Sequence, residues 1–161
     1  MKTLILVRHA KSSWEFDVID HERPLNNRGF NDADLVSKVL KMSKLKVDKL
    51  ISSDAVRAKT TAEFFIENLP VNKNIVSYDY DLYDFSGESL VKVIQETDDS
   101  VDELMVFGHN HAITHFANTY GSIYIENVPT CGVVIFQFDI ETWNTLKLGK
   151  TIKTLFPKDL K

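Results

Sequence analysis

The sequence predicts an α/β fold, a three-layer α/β/α sandwich around a mostly parallel central sheet, in a single domain covering residues 1–161. Two observations carry that expectation. Short apolar runs alternate with stretches of helical periodicity, the order that lays parallel strands between helices. The runs Leu4-Ile5-Leu6-Val7 and Leu104-Met105-Val106-Phe107 are apolar without interruption, as strands buried on both faces are. No repeat, low-complexity segment or linker divides the chain.

Each element has its own signal. Leu4 to Val7 is the first strand, and a polar loop follows to about residue 27. Residues 28–42 read as a helix, with Phe30, Ala33, Val36, Val39 and Leu40 at helical spacing. Residues 47–52 form a short strand. A helix over 55–68 is expected to be capped by Asp54 or Ser53, with Ala58, Ala62, Phe65 and Ile66 inside and Pro70 past its end. Residues 75–80 make a third strand, and Ser86 is placed to cap a helix carrying Leu90, Val93 and Ile94. The strand over 104–107 precedes a helix over 112–120 that stops at Gly121. Residues 133–138 and 146–155 look like closing strands.

Composition narrows the class. The chain has 161 residues, of which 43% are hydrophobic and 26% charged, values typical of a globular protein. The net charge of -4 predicts no nucleic-acid partner, so any anion site must be a local basic pocket in an acidic protein. A single cysteine, Cys131, excludes an internal disulfide and a cysteine-rich metal site. The first strand begins almost at Met1, so no signal peptide is expected, and no apolar run is long enough to cross a bilayer. These features predict a cytoplasmic protein with no membrane anchor, expected to be a monomer.

The chemistry concentrates at strand ends. The first strand runs into Arg8-His9, and ligands of open α/β sheets bind at the carboxyl ends of strands. A cation beside an imidazole suits holding a phosphoryl group while a ring nitrogen attacks it; the alternative is a surface arginine beside a lodged histidine. The strand ending at Ser52 leads to Arg57 in the first turn of the next helix. An arginine there opposes the helix dipole unless an anion is bound, or it is simply solvated. A third strand delivers Gly108-His109, past the apolar run and so less suited to a core histidine. Arg23-Pro24-Leu25-Asn26-Asn27-Arg28-Gly29 reads on physical grounds as a plain capping loop.

This ordered set resembles the histidine phosphatase superfamily in its small branch, most closely the SixA-type phosphohistidine phosphatases. The resemblance covers nearly the whole chain. It includes Val7-Arg8-His9-Ala10-Lys11-Ser12-Ser13-Trp14, Arg23-Pro24-Leu25-Asn26 with Arg28-Gly29, and Ser52-Ser53 with Arg57 and Thr61-Ala62. It continues through Gly108-His109-Asn110 and Pro129-Thr130. The resemblance implies a phosphoglycerate mutase-like fold. His9 would be the nucleophile that becomes phosphorylated, with Arg8, Arg57 and His109 on the non-bridging oxygens. No metal or other cofactor is implied, since the arginines neutralise the phosphate. Guanidiniums can grip phosphate oxygens in a bidentate way that lysine cannot copy.

Departures from the family pattern define the open questions. Cofactor-dependent phosphoglycerate mutases have an asparagine where this chain has Glu15, an anion unwelcome beside phosphate unless it points away. Many relatives use a glutamate as proton donor in a Leu-x-Glu setting. Leu82-Tyr83-Asp84 matches it, so Asp84 is either the general acid or a surface loop carboxylate. SixA-type enzymes generally lack that acid. His111 and His115 stand at i,i+4, a metal-like spacing without the accompanying glutamate, and a helix-face or pocket-rim role is the expectation. The leading expectation is a metal-independent phosphohydrolase acting on phosphohistidine in a protein partner. The alternatives are a small-molecule phosphomonoesterase and a non-catalytic module that binds phosphorylated ligands.

Overall fold

A computed structural model describes residues 1–161. Six strands form one sheet: β1 (Lys2–Arg8), β2 (Lys49–Ser52), β3 (Val76–Tyr78), β4 (Glu103–Gly108), β5 (Val133–Phe138) and β6 (Lys150–Leu155). The order across it is β3-β2-β4-β1-β5-β6. The first four in that order run parallel, whereas β5 is antiparallel to β1 and β6 to β5. Five helices cover the sheet: α1 (Asn27–Lys41), α2 (Val56–Asn68), α3 (Glu88–Gln95), α4 (Ala112–Tyr120) and α5 (Pro157–Leu160).

The strand period of two explains the layers. Ile5 and Val7 of β1 pack on one face with Ala33, Val36 and Leu40 of α1 and with Ala62 and Phe65 of α2. Leu4 and Leu6 pack on the other with Val93 and Ile94 of α3 and with Ile113 and Phe116 of α4. A strand covered on both faces has no polar side, which is why β1 and β4 read as unbroken apolar runs.

The elements match the expected ones with local corrections. β3 is shorter, since 3-10 turns at Lys73–Ile75 and Tyr80–Leu82 take both ends of the expected strand. β6 begins at Lys150, because residues 146–149 approach the sheet as irregular chain whose Gly149 N–H donates to the Tyr120 carbonyl at 2.8 Å instead of pairing with β5. Phe30 faces outward, 42% exposed, and meets Phe64 on the helix surface instead of entering the core. Neither Ser53 nor Asp54 caps α2, whose N-cap is Ala55, and Ser86 does not cap α3. Those side chains have other partners near the site. Asn26 does cap α1, its side chain accepting from the Gly29 N–H at 2.8 Å.

The antiparallel strand matters for the site. After α4 the chain must return to the carboxyl edge of the parallel strands before β5 can run down beside β1. That return brings residues 128–132 against the end of β1. There the Gly132 carbonyl accepts from the Arg8 N–H at 3.1 Å and the Cys131 N–H donates to the His9 carbonyl at 2.9 Å.

Candidate active site

A cleft of about 470 Å³ opens at the carboxyl ends of β1, β2 and β4, with Arg8, His9, Arg23 and Arg57 among its lining residues. β1 and β4 are adjacent with Arg8 opposite Gly108, so the next residue of each strand, His9 and His109, enters the site side by side. Their ring centroids are 5.2 Å apart. The His9 N–H donates to the Gly108 carbonyl at 3.1 Å, which extends the ladder one residue past the strands.

His9 is buried and its ring is oriented. Nδ1 lies 2.7 Å from the Ala10 carbonyl oxygen. A carbonyl only accepts, so the proton sits on Nδ1 and Nε2 keeps its lone pair. Burial, reinforced by the charge of Arg57, pushes the His9 imidazole down to about 3, against the weaker upward pull of the Ala10 carbonyl. The ring is therefore neutral at ordinary pH. The Ala10 N–H donates to Thr61 Oγ1 at 2.9 Å, and Thr61 Oγ1 in turn donates to the Arg57 carbonyl at 2.7 Å. α2 thus clamps the turn that carries the histidine.

The cations are anchored from behind. Arg8 Nη1 donates to the Val128 carbonyl at 2.8 Å, and its buried Nε has no partner. Arg57 is 2% exposed, an unusual burial for a guanidinium. Its Nη1 and Nη2 donate to the backbone oxygen and carboxylate of Asp20 at 2.6 and 2.9 Å, while its Nε also lacks a partner. Asp20 further accepts from Arg23 Nε at 3.0 Å and from the Tyr83 hydroxyl. Burial alone would raise the Asp20 carboxyl, but hydrogen bonds from Tyr83, Arg57 and Arg23 hold it well below the usual carboxylate range. Arg23 also donates to Ser12 Oγ at 2.6 Å and carries the Trp14 ring on its guanidinium, 3.6 Å from the centroid.

His109 is held differently. Its Nε2 lies 2.8 Å from Ser53 Oγ and its buried Nδ1 has no partner. Burial, with the nearby His9 and Arg57, pushes this imidazole down to about 2. Tyr83 and Phe85 pack on it with centroids 5.3 and 5.4 Å away.

Of the four expected residues, Arg8, His9 and Arg57 line the cleft, and His109, almost fully buried, lies just behind the lining against the His9 ring. Asp84 does not join them. Its carboxylate accepts from the N–H groups of Ser86, Gly87 and Leu90 at 3.0–3.1 Å and from the Ser86 hydroxyl, so it organises the start of α3. Gly87, at φ 107°, is the residue that this turn requires. Glu15 is exposed and lies outside the cleft lining. His111 is the N-cap of α4 and His115 packs near Gly87 from the same helix.

Sequence reasoning missed Asp20, Tyr83 and the roles of Ser53 and Arg23. The loop read as a plain cap does cap α1 through Asn26, yet it also sends Arg23 into the cleft. Gly29 carried a usable signal. A Cβ there would lie 2.1 Å from the Lys11 carbonyl oxygen, so only glycine lets α1 approach the turn after His9 this closely.

Known proteins carry the same framework. Residues 4–85 match the histidine phosphatase superfamily (branch 1), and the chain belongs to that family. An uncharacterized protein of Mycobacterium tuberculosis is 28% identical over 141 residues, 81% of this chain and 86% of its own length. Among solved structures, the protein histidine phosphatase SixA complexed with tungstate superposes with a TM-score of 0.84 at 18% identity, over 99% of each chain. Phosphoglycerate mutase from Bacillus anthracis superposes with a TM-score of 0.69 at 15% identity, over 99% of this chain and 95% of that one. At these identities the structural likeness is one of fold.

Proposed function

We propose that this member of the histidine phosphatase superfamily hydrolyses phosphohistidine on a protein partner, through a covalent phosphohistidine formed on His9. The observation that carries the reading is the bond from His9 Nδ1 to the Ala10 carbonyl at 2.7 Å. It presents an unprotonated Nε2 to the cleft, beside two anchored guanidiniums with free donors.

The two half-reactions follow from that geometry. The Nε2 lone pair forms a bond to phosphorus, and the P–N bond to the substrate imidazole breaks. Its electron pair returns to the substrate ring, which leaves neutral because its other nitrogen carries a proton from solvent. The arginines and His109 take up charge on the equatorial oxygens, and a donor to such oxygens is typically worth about 100- to 1000-fold in rate. Phosphorylated His9 is then an imidazolium, since Nδ1 keeps its proton. Water attacks phosphorus, the second P–N bond breaks, and the pair returns to Nε2. The water protons pass to the phosphate product and solvent.

For His109 to donate while neutral, its proton must sit on Nδ1. The Ser53 hydroxyl supports this, because Ser53 Oγ accepts from the Ala55 N–H at 3.2 Å and can give its own proton to His109 Nε2.

The choice of substrate rests on proton supply. An alkyl phosphate needs an acid from the enzyme to protonate the departing oxygen, whereas phosphohistidine takes its proton from solvent on the far ring nitrogen. Asp84 is occupied at the start of α3, and Asp20, which lines the cleft, is held ionised. Neither carboxyl is set up to donate a proton.

The test uses a phosphohistidine protein and a phosphoserine peptide with the full-length enzyme. Wild-type protein should dephosphorylate the first in preference and yield an acid-labile, base-stable phosphoenzyme that His9→Ala does not form. Preference for phosphoserine, or wild-type rates in His9→Ala, would overturn the proposal.

A further inference from the structure

Two loops border the cleft, residues 14–22 after β1 and residues 79–88 before α3. They are joined across the site. The Tyr83 hydroxyl donates to Asp20, and the His21 ring meets Tyr83 and Tyr80 with centroids 4.9 and 6.1 Å apart. Large apolar side chains stand out from both. Trp14, Phe16, Ile19, Tyr80 and Phe85 are 76%, 57%, 67%, 64% and 47% exposed. Isolated exposed apolar residues are ordinary, but five on two connected loops around one cleft mark an interaction surface.

The charge of these loops is opposite to that of the cleft floor. Residues 14–22 contain Glu15, Asp17, Asp20 and Glu22 with no lysine or arginine. Residues 79–88 again hold no lysine or arginine; of their four acids, Asp84 is bonded at the start of α3 and Asp79 lines a separate pocket beside Lys49, which leaves Asp81 and Glu88 exposed. The floor between them presents Arg8, Lys11, Arg23 and Arg57. A free phosphate ester must therefore approach past acidic banks to reach its basic seat, at distances where charges still act through about 8 Å of physiological salt. A phosphoryl group mounted on a basic surface meets attraction at both levels.

We propose that these loops form a docking collar for a phosphohistidine-bearing protein whose surface around the phosphohistidine is apolar and flanked by lysine or arginine. Apolar contact with Phe16 and Ile19 supplies affinity, and the acidic banks select basic flanks. The proposal rests on the phosphohistidine reading above and adds which partner surface the enzyme accepts.

The experiment uses free phosphohistidine and two helical peptides, each phosphorylated on one histidine. One peptide flanks it with leucine and lysine, the other with leucine and glutamate. Phe16→Ser combined with Ile19→Ser removes apolar collar without touching a cleft-lining residue, and Glu15→Lys combined with Asp17→Lys reverses part of the bank. Thermal melts of both variants should match the wild type. Wild-type kcat/KM should favour the lysine peptide over the glutamate peptide by about tenfold or more. The serine variant should lose about tenfold on the lysine peptide and keep its rate on free phosphohistidine. The lysine variant should shrink or invert the preference between peptides. Equal handling of both peptides by the wild type and both variants, with turnover intact, would overturn the collar alone. Failure of the wild type to turn over any of the three while still hydrolysing an aryl phosphate would overturn the phosphohistidine reading itself, and the collar with it.

Discussion

The ends of β1 and β4 are near-copies whose histidines have different hydrogen-bonding partners. Both are unbroken apolar strands at the centre of the sheet, in register from Thr3 opposite Glu103 to Arg8 opposite Gly108. Each hands a histidine to the cleft at the next residue, and burial pushes both rings far below the ordinary histidine value. The difference lies in one hydrogen-bonding neighbour. His9 faces a carbonyl, which fixes its proton on Nδ1 and leaves Nε2 with its lone pair. His109 faces a hydroxyl, which can donate and so leave the proton on the nitrogen that has no partner. Burial favours the neutral form of both rings, and in the proposed mechanism the identity of the partner oxygen is what would make one ring offer a lone pair and the other a proton.

That contrast is broken most severely by removing the rings. His9→Ala should lose the covalent step and about 10⁴-fold or more in kcat, since a nucleophile has no substitute. His109→Ala should lose about 100- to 1000-fold while still forming the phosphoenzyme, because it removes a donor and not the attacking group. Quenched-flow labelling with a phosphohistidine substrate separates the two outcomes. Equal losses with no phosphoenzyme in either variant would show that the rings do not divide the work.

A finer probe is Ser53→Ala, which removes the hydroxyl from His109 and leaves His9 untouched. Losing one hydrogen bond worth about 1.4 kcal/mol corresponds to about tenfold in rate. The nitrogen chemical shifts of His109 should move toward the other tautomer, and those of His9 should stay. No change in either shift or rate would remove Ser53 from the mechanism.

The mildest test is pH. Neither ring should titrate by NMR between pH 5 and 8, because the folded values are about 3 for His9 and about 2 for His109. In the unfolded chain both titrate near 6.5, so below that pH the unfolded state binds more protons. Their contribution to stability is complete above about 6.5 and falls by roughly 1.4 kcal/mol per pH unit per ring as pH drops toward the folded values. Denaturant midpoints from pH 7 to 5 should decline, with a shallower slope in His109→Gln. A flat profile in the wild type would contradict the burial of both rings as neutral groups.

Some of this was legible in residue order. Periodicity and apolar runs located the helices and the central strands, because burial on one or both faces writes a local pattern. The same runs, ending at Arg8-His9 and Gly108-His109, located the cleft at the carboxyl edge of the sheet. The ends of elements were less legible, since polar side chains near a helix start have more than one suitable partner. Ser53 and Asp54 both suit a helix cap by type. In the folded protein Ser53 serves the Ala55 N–H and His109, and Asp54 pairs with His21 at 2.7 Å. Asp84, matched by segment to a catalytic acid, instead holds the turn into α3.

By itself, then, the sequence determined the alternation of strands and helices, the buried apolar runs of β1 and β4 and the strand-end positions of Arg8, His9, Arg57 and His109, whereas the pairing of β1 with β4 came only with the folded sheet. The tertiary structure alone decided the antiparallel return of β5, which supplies the carbonyl of Val128 to Arg8 across 120 residues. It also decided that Asp20 orients Arg57 from 37 residues away and receives Tyr83 from 63. Apolar burial follows spacing along one element, so neighbouring residues reveal it. A hydrogen bond is chosen by distance and direction between groups far apart in the chain, and those exist only once the sheet has brought its loops to one edge.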